Sequence, residues 1–204
     1  MTQEEIIAIA KHTIDTEISN MQLLSKQFSD QDFCQAFAQI ANALSGCQGH
    51  IVLSGVGKSG LIGRKVSAVF NSIGVQSIFL HPVEAVHGDF GILRSNDILI
   101  ALSCSGNTEE MHAVVNYCNN HNILTTSITC RQPSWLQSHC KINLTLKMQN
   151  EAIDGFPIPT TSCILTFAAC DAFVAYLTKT KQLTRQQYGT YHCGGHIGAM
   201  INKN

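Results

Sequence analysis

Residues 51–64 read IVLSGVGKSGLIGR. A short apolar run leads into glycines spaced around a lysine and two serines, and a helical pattern with Leu61, Ile62 and Val66 follows. This order predicts a strand, a tight loop and a helix that begins at the loop. The backbone amides at such a helix start carry a partial positive charge, so the junction favours an anion, most often a phosphate. Lys58 would add a full positive charge there.

Two nucleotide-binding motifs resemble this loop, and the sequence weakens both. The G-x-G-x-x-G pattern over 55–60 needs an acidic residue about twenty positions further on, but 61–83 contain none. The GKS triplet at 57–59 matches the end of a P-loop, which requires a glycine where this chain has Val52. We therefore favour a small anionic ligand near Lys58 over a nucleotide, and over glycines that only form a tight turn.

Length and charge favour one domain without a nucleic-acid partner. The chain has 204 residues, which suits a single domain. Charged residues make up 13% and the formal net charge is −1, against roughly 25% charged residues in typical soluble proteins. A low surface charge suits a chain that buries faces in an oligomer, and the absence of a basic field argues against nucleic acid.

The ends and the cysteines predict a cytoplasmic protein that does not enter a membrane. The start, MTQEEIIAIA, has acidic residues where a secretory signal has a basic region. The most apolar late stretch, 163–177, is interrupted by Asp171. The nine cysteines include no C-x-x-C pair, which argues against a disulfide framework and a standard zinc site. We expect reduced, mostly buried thiols and no metal.

Helical and apolar patterns alternate along the chain. A capping box at Thr2 and Glu5 predicts a long helix over 2–28, which packs either on the core or on a partner subunit. A second helix runs from Ser29 to Gly46. Strands are predicted near 50–54, 76–80, 97–103, 123–129 and 142–148, and further helices near 60–73, 108–120 and 160–178. This alternation predicts an α/β fold, a three-layer αβα sandwich with a five-stranded parallel sheet and ligands at the carboxyl ends of the strands.

Two polar segments follow predicted strands. HPVEAVHGDFG, after the second strand, concentrates titratable side chains at 81–91, which are either functional or caps of turns. SCSGNTEE, after the third strand, places hydroxyls at Ser103, Ser105 and Thr108 before a helix start. Hydroxyls and exposed amides accept a phosphate well, so we favour phosphate binding over simple helix capping here. This loop competes with Lys58 for that role.

Two later segments carry weaker signals. Glu151 and Asp154 lie on an irregular loop after the fifth strand, where a carboxylate acts as a base or merely as a surface residue or cap. Near the end, His192 precedes the pair Gly194 and Gly195. The glycines would let the backbone turn and aim His192 into a neighbouring site, and a frayed terminus is the alternative.

Together these segments resemble the sugar isomerase (SIS) domain of the arabinose-5-phosphate isomerases. The similarity extends over about 45–200 and includes GVGKSGLIGRK, HPVEAVHGDFG, SCSGNTEE, the PTTS helix start at 159–162 and HCGGHIG. It implies a five-stranded parallel sheet and a homotetramer with active sites shared between subunits. It also implies interconversion of ribulose 5-phosphate and arabinose 5-phosphate, which supplies the eight-carbon sugar acid Kdo for lipopolysaccharide or capsule.

The resemblance also implies roles for individual residues, with a sugar phosphate as substrate and no cofactor. The positions that match catalytic residues of the family are Lys58, His87, Glu110, Glu151 and His192. Substrate binding is implied for Gly57, Ser59, Ser103, Ser105, Gly106, Asn107 and Thr108. With the serine loop as the better phosphate holder, Lys58 becomes a candidate for chemistry rather than for anchoring.

The sequence departs from the family pattern at three places. Many relatives continue into tandem cystathionine-β-synthase-type domains, and the sequence stops where these would begin, so we expect a short form without them. The usual His-Pro-Gly-Gly is His-Cys-Gly-Gly at 192–195, which we expect to leave His192 on a more flexible loop. Asn107 stands where relatives often have glutamate, which bears on the substrate range.

Aldose–ketose isomerisation removes a proton beside the carbonyl and returns it to the neighbouring carbon. One base suffices if its pKa lies near the working pH, and burial of a carboxylate raises its pKa. We expect Glu151 or Glu110 as that base, His192 in proton transfers at oxygen, and Lys58 at the enediolate charge. The alternatives are a sugar-phosphate-binding module without chemistry and an isomerase of another substrate, such as a phosphoheptose.

Overall fold

The computed structural model describes residues 1–201, apart from the side chain of Ile197. Five parallel strands form one sheet in the order β2-β1-β3-β4-β5. Their bounds are β1 Ile51–Ser54, β2 Ser77–Phe79, β3 Ile98–Leu102, β4 Leu124–Thr129 and β5 Ile142–Thr145. The predicted parallel sheet is thus confirmed, with each strand slightly shorter than expected. Because β1 pairs with both β2 and β3, the winding reverses there, and a crevice opens at the carboxyl ends of β1 and β3.

Helices connect the strands and flank the sheet. Their bounds are α1 Gln3–Gln27, α2 Gln31–Gly46, α3 Gly57–Ser72, α4 Pro82–Val86, α5 Met111–Asn120, α6 Trp135–His139, α7 Thr161–Thr180, α8 Arg185–Tyr191 and α9 Gly195–Ile201, with a 3₁₀ turn at Asp89–Ile92. The predicted long helices are present, although α5 begins at Met111 rather than at 108. Helices α4, α6, α8 and α9 were not predicted. They are five to seven residues long, too short for a 3.6-residue period to be recognised.

Two apolar cores lie on opposite faces of the sheet, because successive strand residues point to opposite sides. Ile51 and Leu53 pack with residues of α1, α2, α3 and α7. Val52 and Leu99 pack with residues of α4, α5 and α6 on the other face. This arrangement confirms the three-layer αβα sandwich, and it leaves the carboxyl edge of the strands open for side chains from the loops.

Helix α1 is attached through its second half. Asn20, Leu24 and Gln27 are buried, and Gln27 holds the segment after β5 by donating to the Thr145 carbonyl at 3.0 Å and accepting the Lys147 amide at 2.7 Å. The isoleucines nearer the amino end are exposed, at Ile6, Ile7, Ile9, Ile14 and Ile18. The helix therefore has an apolar surface that its own chain leaves uncovered.

Helix α7 is long and apolar enough to cross a membrane by length and composition alone. A buried core helix passes the same test, and α7 packs against α1, α2 and α3. Its side chains Leu165, Phe173 and Leu177 lie in the core. Asp171, on the outer side of the helix, pairs with Lys65 at 2.9 Å.

Candidate active site

A cavity of about 370 Å³ opens at the carboxyl edge of the sheet. Its wall comes from the β1–α3 loop, the segment after β3, the end of β4 and the region where the chain enters α7. Of the residues predicted from the sequence, the cavity brings together Lys58, Ser59, Ser103, Ser105, Thr108 and Glu151. These residues are widely separated in the sequence, and the parallel strands place them at one edge.

Three hydroxyl groups converge in the segment after β3. The Ser103 Oγ lies 2.8 Å from the Thr108 Oγ1 and 3.5 Å from the Ser105 Oγ. The Gly106 amide donates to the Ser103 hydroxyl at 3.0 Å, and the Asn107 amide donates to the Ser105 hydroxyl at 3.1 Å. Each hydroxyl can rotate to donate a hydrogen bond. The loop therefore places three hydroxyl groups within one small region, where they can turn to donate hydrogen bonds to a phosphate.

The middle of this loop is fixed against helix α6. Gly106 has φ +68°, and a Cβ there would overlap the Ser134 side chain, so another residue would be strained and would clash. The Asn107 Oδ1 accepts the Trp135 amide at 2.8 Å, and its Nδ2 donates to the Ser105 carbonyl at 3.3 Å. The Asn107 side chain thus joins the loop to α6.

The lysine loop combines tight packing with an exposed cation. A Cβ at Gly60 would lie 2.7 Å from the Gly55 carbonyl oxygen, and Gly57 has φ +58°, so the glycines do allow a close turn. Lys58 is exposed at the cavity wall. Within residues 1–201, its ammonium has no hydrogen-bond or ion-pair partner. Both interpretations of this loop therefore describe part of it, because the glycines shape the turn and the lysine faces the cavity.

Glu151 is half-buried and anchors the start of α7. Its Oε2 accepts the Thr160 amide at 2.9 Å, the Thr160 hydroxyl at 3.3 Å and the Ser162 amide at 3.1 Å. Its Oε1 accepts the Ser162 hydroxyl at 2.5 Å. Since a carboxylate oxygen has two lone pairs, Oε1 keeps one for a further partner. Glu151 is therefore both a helix cap and an oriented acceptor in the cavity wall.

Three of the five predicted catalytic residues do not line this cavity, and neither do the predicted binding residues Gly57, Gly106 and Asn107. His87 follows α4 and is exposed, and Glu110 is exposed immediately before α5. His192 is half-buried, with its Nδ1 3.0 Å from the Tyr188 carbonyl oxygen. Its neighbour Tyr191 packs on Gly74, just before the amino end of β2. His192 thus lies towards the edge of the sheet opposite the cavity of its own chain.

The titratable segment at 81–91 contains one clear structural role. The His81 Nδ1 accepts the Val83 amide at 3.3 Å and caps α4. Glu84, His87 and Asp89 are exposed. Within the described part of the chain, no group of three His, Cys, Asp or Glu side chains is placed to hold a metal ion.

The residues of the cavity wall that were not predicted from the sequence include Cys104, Arg131 and Ser162. Arg131 follows the end of β4 closely, and its position after a predicted strand was a usable signal. Ser162 was seen only as part of a helix start. Cys104 was overlooked because it lies between Ser103 and Ser105, which we interpreted as phosphate-binding residues.

The cavity thiols differ in acidity. A hydrogen bond with the Cys130 thiol, aided by the Ser162 hydroxyl and opposed by burial, lowers the pKa of Cys104 to about 7. Burial, with a contribution from the Glu151 charge, raises the pKa of Cys163. Cys104 is therefore the more readily ionised of the two.

Comparison with known proteins identifies the class. The SIS domain family model matches residues 44–176. The chain belongs to the SIS domain family.

Comparison with individual relatives gives more specific similarities than the family match. The arabinose 5-phosphate isomerase KpsF of Escherichia coli is 36% identical over 196 residues, which cover 96% of this chain and 61% of KpsF. GutQ of E. coli K12, also named an arabinose 5-phosphate isomerase, is 29% identical over 98% of this chain and 61% of GutQ. The chain thus spans about three fifths of the length of these relatives. A solved structure of an E. coli CFT073 protein in complex with arabinose 5-phosphate has a TM-score of 0.87 and 32% identity, covering 94% of this chain and all of that one.

Proposed function

We propose that this chain is an aldose–ketose isomerase that interconverts D-ribulose 5-phosphate and D-arabinose 5-phosphate. The observation that carries this proposal is one cavity with a converging hydroxyl cluster, a cation and an oriented carboxylate. Similarity to two proteins named arabinose 5-phosphate isomerase and to a protein solved with arabinose 5-phosphate supports the choice of substrate.

The cavity favours one orientation of the sugar phosphate. The phosphate end binds at the hydroxyls of Ser103, Ser105 and Thr108, with Arg131 nearby as a second cation. The carbonyl end then lies towards Lys58 and Glu151. Such an assignment leaves Lys58 available for chemistry, because the three hydroxyls and Arg131 already provide donors for the phosphate.

The reaction requires one base that acts twice. The free lone pair of the Glu151 Oε1 takes the proton from the carbon beside the carbonyl, which gives an enediol. The same carboxyl group then returns the proton to the neighbouring carbon, so no net charge is left. Lys58 stabilises the negative charge that develops on the substrate oxygen. Glu110 is the alternative base, and it requires the exposed segment before α5 to face a cavity.

The three predicted catalytic residues outside the cavity, His87, Glu110 and His192, are the reason for considering a shared site. We propose that the chain forms a homotetramer in which another copy brings His87, Glu110 or His192 to this cavity. The exposed isoleucines of α1 offer an apolar surface for such contacts. In this arrangement His192 moves protons at the substrate oxygens.

The cellular setting is also a proposal. We infer that residues 1–204 act as a single SIS domain in the cytoplasm and that the product supplies Kdo for lipopolysaccharide or capsule. The support is the resemblance to KpsF and GutQ and a composition with low charge and no C-x-x-C pair.

The direct test is proton exchange. The full chain is incubated in D₂O with ribulose 5-phosphate and, separately, with a panel of other sugar phosphates that includes a phosphoheptose. We expect deuterium at the carbon beside the carbonyl and formation of arabinose 5-phosphate, followed by NMR. Binding of the sugar phosphate without exchange would instead indicate a binding module, and turnover of another sugar alone would contradict the substrate assignment.

A further inference from the structure

Cys104 and Cys130 occupy matched positions just beyond the ends of two neighbouring strands. Strands β3 and β4 pair in the register Leu102 to Ile128. Two residues further along each strand, the Cys130 amide donates to the Cys104 carbonyl at 2.9 Å. The pairing therefore continues to the two cysteines. Neighbouring strands lie about 4.8 Å apart, and a disulfide requires Cα atoms roughly 4.4–6.8 Å apart.

Both side chains belong to the core on the same face of the sheet, and they have different environments. Each thiol shifts the pKa of the other. Cys104 is half-buried and lines the cavity, whereas Cys130 is buried behind it, with 7% of its surface exposed. The Cys104 sulfur can thus be reached from the cavity, and Cys130 is its buried neighbour on the adjacent strand.

The acidities of the two thiols agree with their different exposure to the cavity. The hydrogen bond that lowers the pKa of Cys104 to about 7 raises the pKa of Cys130, and burial adds to the second effect. A thiol with a pKa near ambient pH combines a useful thiolate fraction with good nucleophilicity. Cys163 also lines the cavity, but its thiol donates to the Pro159 carbonyl at 3.4 Å and its pKa is raised.

We propose that Cys104 is an oxidation site within the cavity, where a peroxide oxidises it and Cys130 then closes a reversible disulfide. The site takes small peroxides that fit the sugar-phosphate cavity. It lies in the phosphate loop, because Cys104 stands between Ser103 and Ser105.

Both steps balance with hydrogen peroxide as the oxidant. The Cys104 thiolate attacks one peroxide oxygen, an S–O bond forms, the O–O bond breaks, and the departing oxygen leaves as water after taking a proton. Cys130 then attacks the sulfur of the resulting sulfenic acid. The S–S bond forms, the S–O bond breaks, and the Cys130 proton leaves with the oxygen as a second water. Two thiols lose two hydrogens, and one peroxide becomes two waters.

The disulfide would change the substrate loop. An S–S bond is about 2.05 Å long, shorter than any hydrogen-bonded contact between two thiols. Closing it draws the Cys104 side chain towards β4 and away from the cavity wall. Ser103 and Ser105 on either side must shift with it, so we expect oxidation to weaken phosphate binding.

The test treats the full chain with hydrogen peroxide and maps its peptides without reduction. We expect the Cys104 peptide to be cross-linked to the Cys130 peptide, with a loss of two hydrogens in intact mass that dithiothreitol reverses. In Cys130→Ser, Cys104 has no resolving partner. It should proceed to the sulfinic acid, which dithiothreitol does not reduce.

Cys163→Ser is the matched control, since it removes the other cavity-lining thiol and should give the same cross-link as the unmodified chain. Circular dichroism checks that both variants fold. If Cys130→Ser does not fold, the peptide map of the unmodified chain tests the cross-link by itself. Cys104 and Cys130 remaining reduced while other thiols oxidise would overturn the proposal. These mass readouts do not depend on isomerase activity, so their failure is distinguishable from failure of the proposed function. Where the chain isomerises, the cross-linked protein should show a higher KM for the sugar phosphate than the reduced protein.

Discussion

Two sets of residues expected at the active site differ in how the chain holds them. The cavity group, Lys58, Ser103, Ser105, Thr108 and Glu151, lines one cavity, and four of its members are fixed by hydrogen bonds within the chain. The outer group, His87, Glu110 and His192, lies outside that cavity. A single chain therefore brings the hydroxyl cluster, the lysine and one carboxylate together. In the proposed site, the outer group comes from another copy.

For His192 the difference follows from topology. Every member of the cavity group comes just after a strand or at a helix start beside the carboxyl edge of the sheet, where parallel strands bring loops together. His192 comes after α7 and lies towards the opposite edge of its own chain. This position is the reason for proposing that His192 serves a different chain.

Among variants of the two groups, we expect the largest loss of activity at Glu151. Glu151→Gln should lower isomerisation by at least about a hundredfold, because the base is lost, while the protein remains folded. Turnover is measured by NMR, and circular dichroism checks the fold. Asp154→Asn is the matched control on the same loop, where Asp154 is exposed and pairs with His12 at 3.2 Å. Full turnover in Glu151→Gln would shift the role of base to Glu110, for which Glu110→Gln is the corresponding variant and Glu109→Gln its control.

The phosphate loop should show a smaller effect, mainly on KM. Ser103→Ala removes a hydroxyl that lies beside both Ser105 and Thr108, and a hydrogen bond to a charged group contributes about 1.5–3 kcal/mol. We expect KM for ribulose 5-phosphate to rise about tenfold or more, with kcat less affected. A fall in kcat at unchanged KM would contradict the assignment of this loop to the phosphate.

The outer group can be tested by mixing variants. We expect His192→Ala to lower turnover about tenfold, which corresponds to about 1.4 kcal/mol in the barrier. If His192 serves the cavity of another subunit, mixed oligomers of His192→Ala with Glu151→Gln should regain activity, because some cavities then receive both intact residues. Mixtures no more active than the average of the two parents would place both residues in the same chain's site or remove His192 from it.

The sequence was sufficient for the sheet and for the cavity group. Apolar runs that alternate with helical patterns predicted the strands, and the rule that ligands bind after parallel strands indicated Lys58 and Ser103. Helix α6 was seen only as a turn, because Trp135–His139 is too short to show a period. The same limit applies to α4 and to the two helices after α7.

Contacts between residues that are separated in the sequence could not be predicted. Glu151 and Ser162 are separated by eleven positions, and nothing in their spacing indicates that the carboxylate caps α7. The pairing of Cys104 with Cys130 depends on the register of β3 and β4, which the sequence does not specify. Strand registers and side-chain caps become known only from the three-dimensional structure, whereas strand ends and the chemistry of loops can be inferred from the local sequence pattern.

The smallest expected effect concerns the attachment of the phosphate loop to α6. Asn107→Ala removes the acceptor of the Trp135 amide and the donor to the Ser105 carbonyl, and a typical hydrogen bond contributes about 1 kcal/mol. We expect the free energy of unfolding to fall by about that amount in a urea titration. Trp135 is the chain's single tryptophan, so its fluorescence reports on this contact directly.

Asn107→Asp is the matched control, because it keeps the acceptor for the Trp135 amide. It should retain most of the stability that Asn107→Ala loses. Equal urea midpoints for Asn107→Ala and the unmodified chain would show that the side chain does not hold the loop.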